Sequence, residues 1–176
     1  MRKHLFLLLA LTGVIACGTK DTFSPDENAG VQLATNVSIF ESKDSQKQWI
    51  LTADAVDFSD LGNATLKNPV LLLKQNGQDS ARVTGETGTF DYTNKRVSIQ
   101  GSARIVSLTQ RVKITTDRFF YDVDEDKVWS DTKTVITRAS AKTVARGGVE
   151  TDSKLNKIEL KNQTTRVPKT TDEFKK

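Results

Sequence analysis

Cys17 is the only thiol in a chain of 176 residues, and His4 is its only imidazole. Everything beyond Cys17 therefore lacks both groups. Ser-His-Asp catalysis, Cys-His catalysis and histidine-containing metal sites have no residues to use there. The acidic run Asp122-Val123-Asp124-Glu125-Asp126 imitates the start of an EF-hand loop, but Lys127 stands where the loop needs Gly and Lys133 where it needs a bidentate Glu. A solvated acidic turn is the reading left. No phosphate-cradling glycine loop occurs. Carboxylates such as Asp91 and Asp122 remain open to acid–base work, although no spacing singles out a pair. These residues imply no metal and no cofactor.

The remaining chemistry is acylation of Cys17. Behind the basic start Met1-Arg2-Lys3, an apolar run from Leu5 to Ala16 leads directly to the cysteine. A helix crossing the hydrocarbon core needs about 20 residues, so this run is short for a lasting anchor and has the length of a secretory leader. Val14-Ile15-Ala16-Cys17 resembles the lipobox of bacterial lipoproteins. That resemblance implies cleavage before Cys17 and a lipidated thiol, and several acyl chains at ~0.8 kcal/mol per buried methylene make a stable membrane anchor. A plain leader ending in an incidental cysteine, or a short uncleaved anchor, is the alternative.

Removing residues 1–16 leaves about one domain's length of chain. The net charge is +4, of which Arg2 and Lys3 supply two, and no dense Lys/Arg block marks a nucleic-acid surface. With no cysteine pair, the fold must rest on its core. Residues 17–34 read as the anchored cysteine and a polar, turn-rich tether, and residues 166–176 as a polar tail.

The elements between them alternate with period two. Trp49, Leu51, Ala53 and Ala55 form one such run; Val97, Ile99, Ala103 and Ile105 another. Val112 and Ile114, then Phe119, Tyr121 and Val123, and last Ile158 and Leu160 continue it. Turn signals separate the runs at Asp60-Leu61-Gly62-Asn63, Asn76-Gly77, Thr93-Asn94-Lys95, Asp124-Glu125-Asp126 and Thr151-Asp152-Ser153. Short, evenly spaced strands predict an all-β domain over residues 35–165. The segments Gly88-Thr89-Phe90-Asp91, Phe119-Phe120-Tyr121-Asp122 and Val149-Glu150-Thr151-Asp152 repeat at about 30 residues. Each ends in an Asp that opens a turn, which predicts stacked hairpins. Gly147-Gly148 marks a bulge, a close backbone approach or an ordinary turn.

Several of these elements, in order, resemble the LptC family of lipopolysaccharide export and the wider group of OstA-like β-jellyrolls. They are Trp49-x-Leu51-x-Ala53-x-Ala55, Leu66-x-x-Pro69, Val97-x-Ile99-x-Gly101-x-Ala103-x-Ile105, Ile114-Thr115-Thr116-Asp117-x-Phe119-x-Tyr121-Asp122, and Ala145-Arg146-Gly147-Gly148-Val149-Glu150-Thr151-Asp152 before Ile158-x-Leu160. The resemblance implies an open jellyroll of two facing antiparallel sheets with an apolar groove for the acyl chains of lipid A. Its implied partners are lipopolysaccharide, an inner-membrane LptBFG-type ABC transporter, and an LptA-like jellyroll joined edge to edge. It implies no enzymatic activity and a place on the periplasmic face of a Gram-negative envelope membrane. Familiar family members keep a transmembrane helix where this chain carries the Cys17 leader, so the helix's contacts with the transporter do not carry over.

The groove residues expected from strand parity and the resemblance are Leu51, Ala53, Phe90, Val97, Ile99, Ala103, Ile105, Ile114, Phe119, Tyr121 and Ile158. The outgoing edge is expected at Ile158, Glu159, Leu160, Lys161 and Asn162, and the incoming one at residues 35–41. The same parity also serves a closed core. An envelope lipoprotein that docks through its β-stack without carrying lipid thus stays open as a reading, as does, more remotely, a carboxylate enzyme acting on envelope glycans.

Overall fold

The computed structural model describes residues 32–43 and 45–166; Cys17, the leader, the tether up to Val31 and the tail from Val167 lie outside the described residues. The strands run from Leu33 to Arg166, slightly beyond the 35–165 expected. In chain order they are β1 (Leu33–Lys43), β2 (Gln46–Asp57), β3 (Asn63–Lys67), β4 (Val70–Gln75), β5 (Gln78–Thr84), β6 (Thr87–Asp91) and β7 (Arg96–Ser107). There follow β8 (Val112–Asp122), β9 (Lys127–Ser130), β10 (Thr134–Arg138), β11 (Ala141–Ala145), β12 (Val149–Asp152), β13 (Ile158–Leu160) and β14 (Gln163–Arg166). Every pairing is antiparallel.

The register resolves these strands into one sheet folded along a line into two layers. The first layer holds the C-terminal half of β1 and the N-terminal half of β2, then β4, β5, the end of β7, the start of β8, β10, β11 and β14. The second holds the other halves of β1 and β2, then β3, β6, the start of β7, the end of β8, β9, β12 and β13. Four long strands cross the fold line, and the other strands break there. This is the expected jellyroll of two facing antiparallel sheets.

Local chemistry makes the line. Asn36, Asn68, Ser102 and Asn162 have positive φ, as do Gly101 at +80° and Gly148 at +91°. Asparagine and glycine tolerate the left-handed region that a sharp re-aiming of the chain requires. In β7 the register shifts between Gln100 and Ala103, a bulge that bends the strand. Backbone groups freed at the corners pair along the line: Asn68 N donates to Glu86 O at 2.9 Å, Glu86 N to Gln100 O at 2.9 Å, and Gly147 N to Lys161 O at 3.0 Å.

The alternation holds within each layer but changes parity at the fold. In β2 the buried positions run Trp49, Leu51, Ala53 and then Val56, not Ala55, which is only half-buried. In β8 they run Ile114, Thr116 and then Phe119. Ala55, although it continues the alternating run of Leu51 and Ala53, is therefore not an interior residue: beyond the bend, the next residue takes the interior.

The repeat is also present. Asp91 ends β6 and accepts from Thr93 N and Asn94 N at 2.9 Å. Asp122 ends β8 and accepts from Glu125 N at 3.1 Å; Asp152 ends β12 and accepts from Asn156 N at 2.9 Å. All three end strands of the second layer, which places successive hairpins in equivalent positions.

Candidate functional site

The space between the layers is where the expected groove residues converge. Leu51, Ala53, Ile105 and Ile114 face inward from the first layer. Phe90, Val97, Ile99, Phe119 and Tyr121 face inward from the second, and Ala103 lies at the fold. All ten are buried, from 0% exposed at Ile105 to 7% at Phe90. Ile158 is half-buried and packs against this cluster from the edge. The interior also takes in Trp49, from the first alternating run, and Leu71, Leu73, Val83, Val128, Val149 and Leu155, which alternation did not single out. Leu71 and Leu73 were hidden in the continuous run Val70-Leu71-Leu72-Leu73, where period two cannot be read.

The layers are closed on each other. A void of about 10 Å³ lies between Leu71 and Val83 on one side and Val97, Ile99, Phe119, Tyr121 and Val128 on the other. Water has no place there. The free ends of the layers meet at an amphipathic mouth. A hollow of about 360 Å³ opens there between Glu41, Trp49 and Lys74 of the first layer and Tyr121, Asp126 and Lys154 of the second. Trp49 and Phe90 lie 5.9 Å apart, and Phe90 meets Tyr92 edge-on at 4.9 Å. The polar tips point outward: Trp49 Nε1 donates to Glu41 Oε2 at 3.2 Å, and the Tyr121 hydroxyl lies 3.5 Å from Asp126 Oδ1. Burial, with the nearby Asp126 charge, pushes the Tyr121 hydroxyl well above its ordinary range, so it stays a neutral donor.

The β12–β13 turn, residues 153–157, closes the mouth from above. The Ser80 hydroxyl donates to Leu73 O at 3.0 Å or to Ser153 O at 3.2 Å, a contact that joins the two layers. Leu155 is fully buried although its φ is +57°. A leucine in the left-handed region costs of order 1–2 kcal/mol, and its buried side chain offsets that.

Among the described residues, the apolar interior runs out at both ends of the stack to a strand paired on one side only. β1 pairs only with β2, and Val37 and Ile39 are half-buried along it. At the other end β13 pairs only with β12 and β14 only with β11; Ile158 and Leu160 are half-buried there. The outgoing edge is in two pieces. A continuous strand from Ile158 through Glu159 and Leu160 into Lys161 and Asn162 is not formed, because Asn162 turns the chain at φ +53° and passes it to the other layer. Each layer thus ends in its own short edge.

The carboxylates open to an enzymatic reading are occupied structurally. Asp91 caps its turn, Asp122 pairs with Arg96 at 3.2 Å, and Asp124 pairs with Lys95 at 2.9 Å. A two-layer β-stack with an apolar interior, an aromatic mouth and edges free among the described residues defines the class of open-edged β-jellyrolls. A profile of the family described as "Lipopolysaccharide-assembly, LptC-related" matches residues 5–168, and the chain belongs to that family. Among solved structures, it is similar to the crystal structure of LptH, "the LptA homologous periplasmic component of the conserved lipopolysaccharide transport device from Pseudomonas aeruginosa". The TM-score is 0.49 at 13% identity, over 79% of this chain and 95% of that one. No curated protein matches the sequence.

Proposed function

We propose that this chain is a periplasmic bridge for lipopolysaccharide: acyl chains of lipid A pass between its two layers, from an inner-membrane LptBFG-type transporter to an LptA-like jellyroll. Cys17 would carry the lipid anchor. The observation that carries the reading is the apolar interior reaching both open edges, through Val37 and Ile39 at one end and Ile158 and Leu160 at the other. A neighbour's edge strand added at β13 or β14 would satisfy unpaired backbone groups and extend the apolar layer without a gap.

Passage requires the layers to part. The fold line supplies the hinge, because most strands already break there and a change of angle leaves the ladders of each layer intact. Acyl chains entering the gap replace side-chain contacts and keep water out. Each methylene sheltered contributes ~0.8 kcal/mol, so an acyl chain is held by its length and by no single residue. Sugars and phosphates remain at the mouth, beside Trp49, Tyr121 and Lys154. Leu51, Ala53, Phe90, Val97, Ile99, Ala103, Ile105, Ile114, Phe119, Tyr121 and Ile158 would line the path.

The test is to staple the mouth with Ser80→Cys and Ser153→Cys, placed where the layers touch. Oxidation is expected to stop lipopolysaccharide loading onto the chain, and reduction to restore it. Equal loading of the stapled and reduced forms would contradict passage between the layers.

A further inference from the structure

The two outer faces of the jellyroll differ in charge balance. On the second layer and its turns, five cations are paired: Lys95 with Asp124, Arg96 with Asp122, Arg118 with Asp131, Lys127 with Glu150 and Lys157 with Glu159. On the outer face of the first layer, the one ion pair among the described residues is Lys74 with Asp79. Arg82, Arg104, Lys113 and Lys142 are exposed there and, among the described residues, pair with no carboxylate.

Register arranges three of these in a row. Arg82 on β5 lies opposite Val106 on β7, Val106 opposite Lys113 on β8, Lys113 opposite Thr137 on β10, and Thr137 opposite Lys142 on β11. A cation therefore stands on every second strand, about 10 Å from the next at ~4.8 Å per strand. Half-buried aliphatic or threonine side chains separate them. At the free end of the same layer, Leu108 is 48% exposed on the turn before Arg111. An open hollow beside that turn is lined by Arg111, Lys113 and Ala139. Like charges spread across a sheet without compensation repel one another, and a surface of opposite charge relieves that repulsion.

We propose that this outer face docks on an anionic lipid bilayer. The row of cations meets the phosphates of the surface, and Leu108 enters the headgroup boundary. Docking would lay the jellyroll on its first layer and leave the second layer, with its five ion pairs, toward water. The contact stands apart from lipid passage between the layers, since it uses none of the inward side chains.

The test uses the full chain with Cys17→Ser, so that no acyl anchor forms, and measures its partition onto phosphatidylcholine vesicles with and without 30% phosphatidylglycerol. The leader contributes equally to every protein compared. Arg82→Gln, Lys113→Gln and Lys142→Gln together are expected to weaken partition onto the anionic vesicles about a hundredfold, at roughly fivefold per cation, and to leave the neutral vesicles unaffected. The control triple Lys67→Gln, Lys95→Gln and Lys157→Gln removes the same charge from the second layer and is expected to lose far less. Equal losses from the two triples would overturn the proposal, because net charge would then suffice. No dependence on phosphatidylglycerol would overturn it as well, and would leave an acidic protein as the face's partner.

Discussion

A Cβ built on Gly148 would lie 1.9 Å from the Ser130 carbonyl oxygen, and its φ of +91° is one that L side chains rarely adopt. Gly148→Ala must both shift β12 off β9 and strain the backbone. It is expected to lower stability by about 3 kcal/mol, read from the urea midpoint. Gly147-Gly148 was legible only as a bulge, a close approach or a turn; that Gly148 meets the Ser130 carbonyl was not, because Ser130 lies eighteen positions away. The turn aspartates make a second prediction. Hydrogen bonds from the Ser59 side chain to Asp57, from Gly62 N to Asp60, and from the Asn94 side chain to Asp91 hold these carboxyls below their ordinary range. A carboxyl depressed in the folded state stabilises above its unfolded pKa of about 4 and loses that contribution as pH falls through the folded value. Denaturation midpoints measured from pH 7 down to pH 2 should therefore begin to fall near pH 4. Asp91→Asn should shrink the drop; an unchanged acid slope in that variant would remove Asp91 from the account.

Strands such as β2, β7 and β8 were legible within a layer, since side chains alternate there with period two and one face is dry; β4, in a continuous apolar run, was not. The fold line was not. Parity switches at Asp54 in β2 and at Asp117 in β8, and alternation read straight through such a bend assigns Ala55 to the interior in place of Val56. The asparagines of the corners, Asn36, Asn68 and Asn162, carried the signal in their tolerance of positive φ, but asparagine is equally common in ordinary turns. The β12–β13 turn was legible as a turn from Asp152, yet nothing local announced that Leu155 plugs the interior. Leu155→Ala removes that plug while keeping the turn. It is expected to cost about 2–3 kcal/mol and to speed amide exchange in residues 153–157, with little change at β4 and β5. Uniform exchange across both layers would mean that the turn opens only with the whole molecule.

The molecule as a whole is a stack of hairpins whose apolar gap is shut at rest and exposed at its ends. The all-β class and its repeat could be read from strand spacing and turn aspartates, whereas the jellyroll came only with the resemblance of those elements, in their order, to the LptC family. Whether the gap stands open could not, because a groove lining and a core obey the same parity. The split of the outgoing edge between β13 and β14 was equally hidden, since it turns on the single φ of Asn162. Leu160→Pro, on an edge strand that tolerates proline, should leave folding intact and reduce capture of an LptA-like partner at least tenfold in a pull-down. The central claim concerns what moves between the layers, and photo-crosslinking in cells addresses it directly. A photoreactive side chain would replace Phe90, Ile105 or Phe119 in turn, with exposed Lys67 as the surface control. The account predicts ATP-dependent lipopolysaccharide adducts at the three interior positions and none at Lys67. A folded, exported protein that gives no adduct at any interior position would contradict it, and would make the gap a closed core in a docking module.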